Sequence, residues 1–112
     1  MSTYNLDSVR EMAGGDEEFL KVIVQTFLEE VPADVEQMRQ SIAQENAKLT
    51  YQFAHKMKPN LQMFGLDLLK EIKSVEAWAN GNKSKKDVVP AIDKIVNTVT
   101  AAAEELRRDF EL

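Results

Sequence analysis

Residues 88–110 read VVPAIDKIVNTVTAAAEELRRDF, and their apolar positions recur every three or four residues. This period places the apolar side chains on one face of a helix, which must pack against other helices. The stripe consists of Val88, Ile92, Ile95, Val99, Ala102, Leu106 and Phe110. We expect Asp87 to cap this helix and Pro90 to lie in its first turn, where a missing N–H costs little.

The rest of the chain reads as further helices separated by short glycine- or asparagine-containing turns. The predicted segments are a short one at 5–13, long ones at 16–46 and 47–64, and one at 66–80. Pro32 interrupts the second segment, so we expect a bend or a restart there. Apolar and polar residues nowhere alternate long enough to predict a strand. Short connections make consecutive helices antiparallel neighbours. The sequence therefore predicts an all-α protein, an antiparallel four-helix bundle with additional short N-terminal helices, formed by a single domain at 1–112.

Composition excludes several classes of function. The 14 Lys and Arg residues are outnumbered by 19 Asp and Glu residues, for a net charge of −5, and cysteine is absent. An acidic chain is a poor ligand for nucleic acid, so we expect no nucleic-acid partner. Without cysteine and with one histidine, the chain lacks the ligands of thiolate or multi-histidine zinc sites, and we expect no metal site. Apolar runs are too short to cross a membrane and no signal peptide is evident, which predicts a cytoplasmic protein without membrane contact.

The single histidine, His55, lies in the middle of the third predicted helix. At about 100° per residue, Phe53 and Met57 fall opposite His55 on the core face. His55 is therefore expected to point outward. The residues expected beside it are Lys48, Tyr51, Gln52, Lys58, Pro59 and Gln62.

Two interpretations of an exposed histidine remain open at this point. It can be a surface residue without a function, or it can use a neutral ring nitrogen as a nucleophile towards a phosphoryl group near pH 7. A metal site lacks a second ligand, and a serine-type triad lacks its nucleophile elbow. Lys58, one turn further along and expected to be mobile and exposed, is suited to neutralise the charge of a phosphoryl group.

The run Ala54-His55-Lys56-Met57-Lys58, with Gly65 ten residues after the histidine, resembles the signature of histidine-containing phosphotransfer (HPt) domains. The upstream stretches at 15–20 and 27–30 are similar to the entry helix of the same family. The resemblance covers nearly the whole chain and implies a four-helix bundle. It implies that His55 is the phosphoacceptor, that Lys58 is the supporting basic residue, and that Gly65 ends the histidine helix. The chain departs from the family pattern at Pro59, where a glycine is usual, and this puts the choice of partner in doubt more than the chemistry.

The resemblance also implies how such a module works. It is not an enzyme but a carrier, which takes a phosphoryl group from one receiver-domain aspartate and gives it to another. Its partners would be receiver domains of response regulators or of hybrid sensor histidine kinases. No cofactor is expected in this chain, since the receiver supplies Mg²⁺, and we expect a monomer. Gln62 is placed beside Lys58 as a phosphate-supporting residue, and the expected docking residues are Tyr51, Gln52, Lys56, Pro59 and Met63.

Two alternatives to the carrier function are kept. The first is an interaction module that binds receiver domains without carrying phosphate, although loss of phosphotransfer usually shows as a missing histidine. The second is an enzyme, against which stands the lack of a convergent acid, base and nucleophile.

Overall fold

Five helices make up the part of the chain that the computed structural model describes, residues 3–112. They are α1 (Asp7–Ala13), α2 (Glu17–Ala43), α3 (Ala47–Met63), α4 (Leu69–Ala79) and α5 (Lys85–Asp109). Helices α2 to α5 pack in a closed ring, in which α2 contacts α3 and α5 while α4 contacts α3 and α5. With short connections this is an antiparallel four-helix bundle. The predicted all-α fold is thus confirmed, and the additional N-terminal element is the single short helix α1, which packs on α2.

Polar side chains cap three of the bundle helices at their N-termini. Asp16 accepts hydrogen bonds from the backbone N–H groups of the first turn of α2, and Asn46 does the same for α3. For α5 the cap is Ser84, whose side chain accepts from the N–H of Asp87. The prediction that Asp87 is the cap is therefore wrong, because a hydroxyl three residues upstream takes that position. As a result Pro90 is the sixth residue of α5 and lies beyond its first turn.

The prediction of a restart at Pro32 is also wrong, because α2 is one continuous helix from Glu17 to Ala43; the bend stays a prediction. A proline inside a helix removes one backbone hydrogen bond, here the one to the carbonyl of Leu28. The apolar stripe continues across it, and Val31 and Val35 on either side are both buried. Burial of this apolar stripe keeps α2 continuous despite the missing hydrogen bond.

The core fills the space between the four long helices and extends under their connections. The stripe predicted for α5 is buried from Val88 to Leu106, and Phe110 is half-buried at its end. Helix α4 begins at Leu69 rather than at the predicted Leu66, since residues 66–68 cross the bundle end with Leu66 and Leu68 buried. At the same end the rings of Phe27 and Phe64 meet with their centroids 4.2 Å apart.

Residues 3–6, here called the N-terminal strap, tie the end of α3 to the end of α5. The N–H of Asn5 donates to the carbonyl of Phe64 at 2.8 Å, and the side chains of Thr3 and Tyr4 donate to Glu105 and Asp109 of α5. Asn5 lies so close to Gly65 that a Cβ atom added to this glycine would be 2.6 Å from the Cβ of Asn5. Gly65 also has a φ of +68°, so both the backbone conformation and the strap require glycine there.

Candidate functional site

His55 lies at the middle of α3 and points away from the core, as the helical period predicts. Its side chain is 64% exposed. Ala54 and Met57, on the opposite side of the helix, are fully buried and fix the rotation of α3 about its own axis. The imidazole is therefore presented on a rigid surface, where a second macromolecule can reach it.

Tyr51, one turn before His55, forms one wall of the site. Its ring is stacked on the imidazole, with the ring centroids 5.8 Å apart and the planes inclined by 9°. At this centroid distance the two nearly parallel rings are offset from one another. The predicted neighbourhood of these two residues is thus observed as a direct contact.

Glu76 of α4 is the residue of the site that sequence reasoning missed. Its side chain is only 11% exposed, and its two carboxylate oxygens face two different residues of α3. Oε1 lies 2.7 Å from Nζ of Lys58, while Oε2 lies 3.5 Å from Nδ1 of His55 and has no hydrogen-bond partner among the described residues. The other ring nitrogen, Nε2, makes no hydrogen bond within the described chain.

Lys58 is therefore half-buried and paired rather than exposed, contrary to the prediction. Its side chain is 24% exposed and is held against Glu76. The prediction failed because a helical wheel describes one helix at a time, whereas this side chain is fixed by a carboxylate of the next helix. The ammonium group remains one turn from His55, beside the imidazole edge that faces α4.

Lys56 is held in the same manner on the opposite side of α3. Its Nζ lies 3.1 Å from Oδ1 of Asp34, a residue of α2 whose side chain is 8% exposed. The second oxygen, Oδ2, is buried without a hydrogen-bond partner among the described residues. The lysine itself is 55% exposed. Each lysine that flanks His55 is thus paired with a nearly buried carboxylate from a neighbouring helix.

The charge of α3 differs in sign from that of the chain as a whole. Helix α3 contains three lysines, Lys48, Lys56 and Lys58, and no carboxylate, in a protein of net charge −5. Lys48 lies two turns before His55 on the same face and makes no ion pair with the described residues. Helix α3 is therefore basic by itself, although the carboxylates of Asp34 and Glu76 offset two of its three lysines.

The remaining predicted residues fall in two groups. Gln52, Pro59 and Gln62 are exposed on the face of His55, and Gln62 makes no side-chain hydrogen bond with the described residues. Helix α3 continues through Pro59 to Met63. Met63 is half-buried and lines an apolar groove between α1, α2 and the end of α3, which sequence reasoning did not anticipate. The groove is lined mainly by Met12, Phe19, Val22, Ile23, Phe27, Met63 and Phe64.

One comparison with known proteins identifies the chain's relatives. The family model described as Hpt domain matches residues 22–109, which include all four bundle helices except the first turns of α2. Neither the curated proteins nor the solved structures that were compared with the chain gave a match. Among the described residues, none of the helices has the length and apolar character needed to cross a membrane.

Proposed function

Because the chain belongs to the Hpt domain family, we propose that His55 accepts a phosphoryl group from an aspartate of one receiver domain and passes it to an aspartate of another. Members of this family are phosphocarrier modules of two-component signalling that interact with receiver domains. The observation that carries the proposal is the exposed imidazole with a buried carboxylate beside only one of its nitrogens. It points to Nε2 as the atom that takes the phosphoryl group.

The proposed step is a direct displacement at phosphorus. The lone pair of Nε2 attacks the phosphorus atom of the aspartyl phosphate, the new N–P bond forms, and the bond between phosphorus and the carboxylate oxygen breaks. The aspartate leaves as a carboxylate, and transfer to the next receiver reverses these changes. The ring keeps its proton on Nδ1 and gains positive charge, which the Glu76 carboxylate at 3.5 Å stabilises.

Lys58 is proposed to support the phosphoryl group after transfer. Its ammonium is already held one turn from His55 by Glu76, and a phosphoryl group on Nε2 brings between one and two further negative charges to this surface. The lysine then has two anions within reach. If a receiver held Mg²⁺, that ion would supply charge neutralisation at the phosphoryl oxygens, and no residue of this chain is proposed to bind it.

The proposed docking face combines charge with apolar area. Tyr51, Gln52, Lys56 and Pro59 surround His55, and the three lysines of α3, two of them paired with carboxylates, face the acidic pocket expected on a receiver. Met63 continues this face into the apolar groove of α1 and α2. Transient signalling contacts depend on a few central anchors, and the groove with exposed Phe19 and Val22 offers them.

The test is incubation with a phosphorylated receiver and Mg²⁺, followed by intact-mass measurement of both proteins. We expect the wild-type chain to gain one phosphoryl group and His55→Gln to gain none while it still binds the receiver. Full phosphorylation of His55→Gln would assign the acceptor to another residue. Binding of the receiver without any mass gain in the wild type would instead favour the alternative of a pure interaction module.

A further inference from the structure

We infer that Asp34 is a positioning residue which limits how strongly the docking face attracts acidic partners, by holding and neutralising Lys56. This inference rests on the proposed function, since it concerns the recognition of receivers by the surface around His55. Asp34 lies on the inner side of α2, where the neighbouring residues of the buried stripe, Val31 and Val35, are apolar.

The first step of the argument is the burial of Asp34. The residue is buried between apolar positions of α2, and one of its two oxygens has no hydrogen bond with any described residue. A buried carboxylate without a cation is strongly unfavourable, so Asp34 depends on the single ammonium group of Lys56 at 3.1 Å.

The second step is the position of Lys56. It directly follows His55 in the chain, and more than half of its side chain is exposed, so a docked receiver must meet it. A partner that draws the ammonium towards itself leaves the carboxylate of Asp34 uncompensated. The pair therefore presents little net charge to a partner, and Lys56 contributes to attraction only at the expense of the bundle.

The consequence concerns specificity. Without Asp34, Lys56 would add one unpaired positive charge next to His55 and would attract any acidic receiver surface. With Asp34, binding depends more on how well a partner fits the groove and the surface around His55. This fit differs between partners. Neutralising a charge in this way lowers the association rate and improves the discrimination between partners.

The experiment measures the association rate with a phosphorylated receiver as a function of ionic strength for wild type, Asp34→Asn and Glu36→Gln. Glu36 is the matched control, because it lies two residues along the same helix, pairs with Arg39 at an exposed position, and loses the same charge on substitution. We expect Asp34→Asn to associate about threefold faster at low salt, as for one unit charge acting through water over about 6 Å, with a steeper salt dependence. Glu36→Gln should stay near the wild type.

A second variant separates charge from structure. In Asp34→Asn with Lys56→Gln the added charge is gone, and the association rate should return to the wild-type value. Equal rates for Asp34→Asn and Glu36→Gln, or a fast double variant, would overturn the inference. Asp34→Ser replaces Asp34→Asn if the latter does not fold. Phosphotransfer to wild type is measured in the same series, so that failure of the proposed function, seen as no transfer at all, is distinct from failure of this inference.

Discussion

Nζ of Lys58 lies 2.7 Å from Oε1 of Glu76, and this ion pair joins α3 to α4 directly beside the exposed histidine. The same carboxylate faces Nδ1 of His55 with its other oxygen. A residue that serves the stability of the bundle therefore also determines the electrostatic surroundings of the imidazole. The effects of substitution on folding and on transfer can be separated by changing the two partners singly and together.

Lys58→Ala is expected to lower both stability and transfer rate. Removal of the ammonium leaves the nearly buried Glu76 without its cation, at a cost of about 1–3 kcal/mol in the free energy of unfolding. Adding Glu76→Gln should restore most of the stability, since the buried charge is gone, but not the transfer rate. Urea unfolding and a transfer time course measure the two quantities. Unchanged stability in Lys58→Ala would show that the ion pair does not persist in solution.

Substitutions on the docking face should weaken receiver binding without unfolding the bundle. We expect Met63→Asp and Val22→Asp to act alike, because both place a charge in the apolar groove, and Gln52→Glu to act by adding a negative charge beside His55. Lys85→Glu, on exposed surface at the start of α5, is the control and should do little. Binding titrations against one cognate receiver measure the effects. A larger loss for Lys85→Glu than for the other three would show that the proposed face is wrong.

Gly65→Ala is expected to destabilise the protein more than Gly81→Ala. Both glycines have a positive φ, +68° and +80°, so both variants bear the cost of a left-handed alanine, about 1–2 kcal/mol. Only at Gly65 does the new methyl group also meet Asn5, whereas at Gly81 it meets nothing within 4 Å. The difference in the free energy of unfolding between the two variants therefore measures the contact with the N-terminal strap. Equal losses would mean that the strap does not pack there.

The strap also gives a prediction at high pH. Partial burial, together with the hydrogen bond to Asp109 and the nearby carboxylates, raises the pKa of the Tyr4 phenol to about 12. Since the pKa of Tyr4 in the folded protein is raised above the ordinary value near 10, the protonated phenol contributes to stability. This contribution is complete below pH 10 and is lost as the pH rises towards 12. Spectrophotometric titration should show one tyrosine ionising near pH 12, and Tyr4→Phe should remove that step. A phenol that titrates near its ordinary value in the folded protein would contradict the contact.

Much of this fold follows from periodicity within single helices. The stripe of α5, the outward position of His55 and the contact of His55 with Tyr51 all depend on residues three or four apart, which a wheel describes correctly. Asp34 and Glu76 also interrupt apolar stripes, and a carboxylate on a buried stripe indicates that a cation must reach it. Which cation does so depends on the order and register of the helices in the bundle. For that reason the helical wheel predicts Lys58 as an exposed charge, although its side chain is half-buried and paired with Glu76.

The location of Glu76 on α4 determines how large a segment must be grafted onto another protein to reproduce the surroundings of His55. Residues 64–68 act as a spacer that sets the rotation of α4 relative to α3. One inserted residue, if it lengthened α4 from its start, would turn the carboxylate by about 100° away from His55. A chimaera that receives α3 alone acquires the histidine but not the charge that faces it. The smallest portable unit is the hairpin of α3 and α4 with its native connection.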